Sequence, residues 1–497
     1  MKKVRLSVLI IMLGTLISKV LGLLRDVILA SSFGANIVSD AYLISTTIPS
    51  LIVGAIATAI MSTYIPVLNS ALKESEHEAE EFNDCALSIS LALVTMIVLI
   101  FFMIPDFVVS LFVVGFSNSD LDLVISMTKI TIFMSYFLIL ISIFSSYLQN
   151  QNKFKSTSFN GIIFNTISIL GIILSAKYNV LIMAYTFVIG YAIATVHLFY
   201  QAYKSGFRLK FRFDLKNKYI KKLVVLTIPV ILNSVVWDIN VMIDKTLTST
   251  IGPGYVSALN YSYKIINVST DMIAVSIATF IFPKISKLYH SKGEEELKSV
   301  LSGALNLVTV LIVPISMAII IYSNQIVKIL FMRGNFNDFA LDITSNSLKL
   351  YSLLLLTSAI NTIIYKYYNA IELNRIPAMN AVYSIISNIV LNFIFIKPLG
   401  YKGVILATVI STLLATLMIL NKLRKKIGKH FFKTLGMNLI RTVICTIISA
   451  MISYLIFDAD LFVTNDFFKL MVAMFVYLFI YVVSMMITKF KIKDVLI

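Results

Sequence analysis

The sequence predicts an all-α, polytopic membrane protein of about fourteen transmembrane helices: two six-helix lobes related by a pseudo-two-fold axis, plus two C-terminal helices. Three observations predict it. The 497 residues are 58% hydrophobic and only 13% charged, where a soluble domain carries roughly a quarter charged residues. The apolar residues fall in continuous runs, each near the roughly 20 residues a spanning helix needs. A turn-and-helix pattern also recurs about 217 residues along the chain.

Helices are expected near residues 6–30, 40–68, 84–105, 122–148, 157–176, 179–203, 219–249, 254–283, 298–322, 342–371, 376–397, 402–424, 433–457 and 465–489. Each run is rich in Leu, Ile, Val, Met and Phe without the alternation of a strand, and in lipid a helix satisfies its own backbone. The first run is too long for a signal-peptide core and lacks an obvious cleavage site. The connections alternate in character. One set is basic: Lys2, Lys3 and Arg5; Lys153 and Lys155; Lys204 to Lys222; Lys284 to Lys298; Lys422 to Lys433; Lys489 to Lys493. The other, Ser31–Ser39, Asp106–Leu121, Ser249–Gly254 and Asp458–Asp466, is nearly free of Lys and Arg. Of the 42 Lys and Arg, 26 fall in the first set and none in the second, which places both termini in the cytoplasm and makes the number of spans even. The acidic run Glu74–Glu81 breaks the trend and reads as a solvated helix face.

The repeat aligns Phe33-Gly34-Ala35-Asn36-Ile37-Val38-Ser39 with Ile251-Gly252-Pro253-Gly254-Tyr255-Val256-Ser257. After a one-residue slip Ala57–Pro66 aligns with Ala274–Pro283, and the loops that follow share a His, His77 and His290. Asp26 and Asp244 occupy matching positions before the turns. Two six-helix halves of the same orientation imply a parallel repeat about an axis normal to the membrane, a plan used by transporters that rock around a site. The expected organisation is an N-terminal lobe (1–205), a C-terminal lobe (206–428) and an additional helix pair (429–497).

Several function classes are excluded. The formal charge of +17 is spread over the loops, as topology signals are, so no nucleic-acid partner is expected. Cys85 and Cys445 are isolated, the four His lack metal spacing, and neither G-x-x-x-x-G-K-[ST] nor H-E-x-x-H occurs. No outer loop is long enough for a sizeable catalytic domain. A transporter and not an enzyme is expected.

Ionisable groups at bilayer depth cost at least about 2.5–3.5 kcal/mol each. They are Lys19, Arg25 and Asp26 in the first helix, Asp40 at the mouth of the second, Asp238, Asp244 and Lys245 in the seventh, Lys264, Lys366 and Arg441. Lys19, about 20 Å along its helix at 1.5 Å per residue, and Lys264 are too deep to snorkel easily. Lys19 and Asp26, seven residues apart, share a helix face; Arg25 points elsewhere, toward Asp40. One reading is a cationic, water-filled cavity that holds an anionic group such as a pyrophosphate; structural ion pairing is the alternative for Arg25, Asp26 and Asp40. Lys245 and Arg441 read as interfacial or structural. Asn388 and Asn392, four apart on one helix, could with Asp244 and Thr408 supply oxygen ligands to a hard cation such as Na⁺, or bond between helices.

These stretches together resemble the MurJ (MviN) family, the lipid II flippases of the multidrug/oligosaccharidyl-lipid/polysaccharide exporter superfamily. The resemblance is carried by Gly14–Asp26, Phe33-Gly34-Ala35, Ser39-Asp40-Ala41-Tyr42, Asp238–Tyr261, Arg333-Gly334-Asn335-Phe336 and Asn388–Gly403. It implies two lobes in a V around a cationic cavity and two extra helices forming a groove for the polyprenyl tail. It implies substrate-binding roles for Lys19, Arg25, Asp26, Asp40 and Lys264, with Lys19 and Lys264 at positions of family Arg. It also implies sodium, as a coupling ion, at Asp244, Asn388, Asn392 and Thr408, with no other cofactor.

The sequence departs from the family in helix two. Pro49-Ser50-Leu51-Ile52-Val53-Gly54 stands where an Arg pair is usual, and Thr58 stands at a Glu position. Asn369-Ala370-Ile371-Glu372 replaces an Arg-containing turn. The expected activity is flipping of lipid II across the bacterial cytoplasmic membrane by alternating access, in a monomer surrounded by membrane lipids. The alternatives are a flippase for another polyprenyl-linked glycan, of capsule or teichoic type, and a cation-coupled multidrug antiporter.

Overall fold

A computed structural model describes residues 2–291, 293–458 and 466–488, apart from the side chains of 2–13, 232, 233, 236–238, 429 and 430. The Asp238 carboxylate, most of the expected Asp458–Asp466 connection and the basic stretch from Lys489 lie outside the described residues. All regular structure among the described residues is helical. In chain order the helices are α1 (Lys2–Phe33), α2 (Ile37–Leu72), α3 (Glu76–Met103), α4 (Pro105–Ser110), α5 (Asn118–Thr131), α6 (Met134–Asn150), α7 (Phe154–Ser158), α8 (Asn160–Ser175), α9 (Ile182–Lys204) and α10 (Lys218–Ser249). There follow α11 (Tyr255–Thr270), a π-helical turn (Asp271–Val275), α12 (Ser276–His290), α13 (Glu294–Phe331), α14 (Asp338–Tyr351), α15 (Leu354–Ala370), α16 (Arg375–Leu399), α17 (Tyr401–Ile427), α18 (Lys429–Asp458) and α19 (Asp466–Ile487).

Eleven helical segments among the described residues are long and apolar enough to cross a membrane, or twelve if the bent pair α14–α15 is one span. The chain is therefore an all-α, multi-pass membrane protein. The fourteen expected spans include two more segments, α1 and α10, each of 32 residues and about 48 Å long at 1.5 Å per residue.

Helix starts follow local chemistry. Asn36 accepts from the N–H groups of Val38 and Ser39 at the head of α2, and the Ser39 hydroxyl in turn accepts from the Asn36 N–H, a reciprocal cap. Ser75, Ser117, Asn217 and Asn337 cap α3, α5, α10 and α14 through their side chains. Three expected helices are interrupted. The run at 122–148 breaks after Thr131, the run at 342–371 breaks after Tyr351 with a 44° bend, and the run at 254–283 contains the π turn. At the first two breaks the ladder tightens: Ser135 N–H donates to Ile132 O (3.1 Å) and Leu355 N–H to Ser352 O (3.1 Å), three residues back. No Pro or Gly marks these points in the sequence.

Proline-freed carbonyls show how helices dock. Pro49 and Pro314 lack the N–H that would bond the carbonyl four residues earlier. The orphan at Ser45 O accepts from the buried Thr131 hydroxyl (2.6 Å), fastening α5 to α2. The orphan at Val310 O accepts from the Tyr481 hydroxyl (2.8 Å), and Tyr477 donates to Pro314 O (2.7 Å), fastening α19 to α13. In lipid each such group must be satisfied within the protein.

The chain forms two compact units, Met1–Ser257 with Gly334–Phe336, and Ala258–Arg333 with Asn337–Ile497. Within the first, α10 packs on α2 and the buried hydroxyls of Thr63 and Thr227 bond at 3.0 Å. Within the second, α13 is flanked by α14, α15 and α18, and α16 pairs with α17.

Candidate functional site

The intramembrane charges of the first unit gather near the start of α2. Asp26 is 1% exposed, and its Oδ1 takes two bonds from its neighbour Arg25, at 3.0 Å from Nη2 and 3.2 Å from Nε. The guanidinium also lies 5.8 Å from the centre of the Phe164 ring. The expectation that Arg25 turns toward Asp40 is not met. Consecutive helix positions point apart, but the arginine arm is long enough to swing back, and a buried carboxylate without a counter-charge is costly.

Asp40 is fully buried. One carboxylate oxygen accepts from the backbone N–H of Gly254 (2.6 Å), the other from that of Ser257 (2.7 Å). An α2 side chain thus caps the first turn of α11, where unsatisfied N–H groups and the helix dipole favour an anion. The matching serines each bond back to the turn before their helix: Ser39 Oγ donates to Gly34 O (2.7 Å) and Ser257 Oγ to Gly254 O (3.1 Å). Gly254 has φ +89°, and a Cβ there would sit 2.4 Å from Ala35 O. Gly34 has φ +74° and the same closeness to Asn335 O, 2.5 Å. Asn335 is in turn tied to Ser31 O by its N–H (2.8 Å) and to Ser32 O by its side-chain amide (2.6 Å). Only glycine admits this approach of backbones.

Lys245 is the charge that the sequence reading undervalued. Its ammonium donates to the Thr47 hydroxyl, and the carboxylates of Asp26 and Asp40 act on it electrostatically. Two buried carboxylates and two cations, Arg25 and Lys245, therefore share one neighbourhood of α1, α2 and α10. The legible signal was the reversed order of the repeat, Arg25-Asp26 against Asp244-Lys245.

The remaining expected residues are placed as follows. Lys19, on α1, and Asp244, on α10, are half-buried. Lys264 is half-buried on α11 in the second unit. Asn388 and Asn392 are buried on α16, and Thr408 is half-buried on α17. These three form a hydrogen-bonded chain, Asn392 Nδ2 to Asn388 Oδ1 (2.8 Å), Asn388 Nδ2 to Thr408 Oγ1 (3.0 Å), and Thr408 Oγ1 to Val404 O (3.1 Å). Its oxygens suit a hard cation in type, but the set is neutral and two of them already accept a hydrogen bond. Among the described residues no group of three or more His, Cys, Asp or Glu could hold a metal ion. In helix two Val53 is fully buried and Thr58 exposed.

At the start of α3 and in the loop before it, acidic side chains pair with cations of the connection between α9 and α10 and of the α10 start. Arg212 bonds Glu81, and Lys218 bonds Glu74. The Lys218 ammonium holds the Glu74 carboxyl below its ordinary pKa.

Comparison with known proteins bears on the family and the fold. The family model described as lipid II flippase MurJ matches residues 29–476. A probable lipid II flippase MurJ of Buchnera aphidicola (subsp. Acyrthosiphon pisum) is 26% identical over 405 residues, 80% of this chain and 79% of that protein. The lipid II flippase MurJ of Thermosipho africanus is 27% identical over 400 residues, covering 80% and 81%. A solved structure of lipid II flippase MurJ in an inward closed conformation superposes with a TM-score of 0.84 at 25% identity, over 97% of this chain and 98% of that one. An inward-facing multidrug resistance transporter of the MATE family, at 12% identity and a TM-score of 0.69, shares the fold. With the family model spanning 29–476 of 497 residues, the chain belongs to the lipid II flippase MurJ family.

Proposed function

We propose that this protein flips lipid II, a polyprenyl-diphosphate-linked peptidoglycan precursor, from the inner to the outer leaflet of the cytoplasmic membrane by alternating access. The observation that carries the reading is the family match over 29–476. Lys19 and Lys264 are each assigned to the diphosphate as point charges on half-buried positions. Arg25, Asp26, Lys245 and Asp40 form the charge-balanced neighbourhood that positions α1, α2 and the head of α11. The basic connections support cytoplasmic termini, and the alignment of the two turns supports lobes at 1–205 and 206–428 followed by the pair at 429–497.

Chemically, the Asp40 bonds join the first turns of α2 and α11 in the loop set that is poor in Lys and Arg, the outer side in this orientation. A flippase for another lipid-linked glycan is the second reading, favoured by Val53 and Thr58 in place of family charges.

The test is complementation in a bacterium depleted of its own lipid II flippase. Rescue that is lost with Lys19→Ala, at equal membrane abundance, is the expected outcome. Failure of the correctly inserted parent chain would transfer the assignment to the second reading.

A further inference from the structure

The connection between α9 and α10 runs through residues 207–214 without helix or strand. Successive side chains of an extended segment point to opposite sides, and here the two sides differ sharply. Arg208 donates from Nη1 to Tyr203 O (2.9 Å) and lies 4.4 Å from the centre of the Tyr203 ring. Arg212 receives the Ser88 hydroxyl as acceptor of its backbone N–H (2.9 Å) and bonds Glu81 through its guanidinium. Lys210 and Arg208 line a cavity of about 350 Å³ together with Glu76, Glu80 and Asp84 of α3. Arg212 and Lys210 thus hold the segment against acidic α3, and Arg208 holds it to the end of α9. The residues between them, Leu209, Phe211 and Phe213, with Leu215 beyond, are 47%, 74%, 67% and 71% exposed.

This is the reverse of a soluble loop, which turns charges outward and apolar groups inward. Two physical demands act on it. A backbone without regular hydrogen bonds is excluded from the hydrocarbon core, because its peptide groups need water or polar partners. Four large apolar side chains in a row of alternate positions are disfavoured in water. Only the headgroup–acyl boundary meets both. The charge is complementary too, since Lys216 and Lys221 beside this stretch are exposed, and anionic leaflets attract such residues.

We propose that residues 207–215 form an interfacial strap on an anionic phospholipid leaflet, with Leu209, Phe211, Phe213 and Leu215 in the acyl boundary and Lys216 and Lys221 over the headgroups. The proposal rests on the membrane location of the chain and on neither the transported substrate nor the orientation.

The test uses the full chain in nanodiscs, which expose both faces, with Phe211→Trp as reporter in a Trp237→Phe background. Phosphatidylcholine discs with and without phosphatidylglycerol are compared, using acyl chains brominated near the carbonyl or near the methyl end. The expected result is blue-shifted emission, severalfold stronger quenching by the shallow bromines, and a further increase with phosphatidylglycerol that Lys216→Gln with Lys221→Gln removes. Emission like that of tryptophan in water, quenched by acrylamide but not by brominated lipid, would overturn the proposal and indicate a water-facing or protein-binding segment. Bromine quenching indifferent to phosphatidylglycerol would overturn its anionic part. Should the Trp237→Phe background fail to fold, Phe213→Trp is read as a difference from the parent that keeps Trp237.

Discussion

The Asp40 carboxylate holds the backbone N–H of Ser257, 217 residues away, at 2.7 Å, and that of Gly254 at 2.6 Å. A buried charge is thereby satisfied by two helix-start donors, and α11 is capped by a residue of α2. Asp40→Asn leaves one acceptor oxygen and turns an amide donor against a donor. The expected cost is about 3 kcal/mol, read as a lowered unfolding temperature of the purified protein, with loss of complementation. Ser257→Ala keeps the backbone donor and should cost only about 1 kcal/mol. Equal effects of the two substitutions would contradict the capping role.

The Arg25–Asp26 pair separates structure from transport. Arg25→Ala strands a buried carboxylate and should destabilise by about 3–5 kcal/mol. Arg25→Met combined with Asp26→Leu removes both charges and should recover most of that stability. If the pair also serves transport, the stable double variant remains inactive in complementation; restored growth would make its role purely structural.

Gly254→Ala places a Cβ 2.4 Å from Ala35 O at a residue with φ +89°. A loss of about 1–3 kcal/mol is expected. Gly436, with nothing within 4 Å of the added Cβ, is the control, and Gly436→Ala should be neutral or slightly stabilising in the same thermal assay.

Tyr481→Phe deletes the donor that satisfies Val310 O, the carbonyl freed by Pro314. Because the ring and its packing are kept, the loss should be confined to the unpaired carbonyl, about 1–3 kcal/mol. Thr131→Val tests the equivalent bond to Ser45 O, and both are measured by denaturation in the same detergent.

A double-mutant cycle on Asn388→Ala and Thr408→Val should give a coupling near the average for bonds between membrane helices, about 0.6 kcal/mol and at most about 1.7. The prediction is for sodium-free buffer, because the observed bonds need no ion. Repeating the cycle with sodium present measures the cation role that the family resemblance implied.

The helical class, the many spans and the alternating basic loops were legible because each depends on local composition: an apolar run of bilayer length has few structural options in lipid. Lys19, Arg25, Asp26, Asp40 and Lys264 stood out for the same reason, as charges where charges are expensive. Their partners were not legible. Nothing in the spacing places Asp40 on Gly254 and Ser257, or turns Arg25 onto its neighbour, or brings Lys245 to Thr47.

The helix breaks after Thr131 and Tyr351 were equally hidden, since neither carries Pro or Gly. Composition marked the apolar segments, eleven or twelve of which are helices long enough to span, and the charges within them that need an explanation. Tertiary structure alone decided which donor meets which acceptor, because a buried charge takes whichever counter-charge or free N–H the packed helices bring within about 3 Å, and that geometry depends on residues hundreds of positions away.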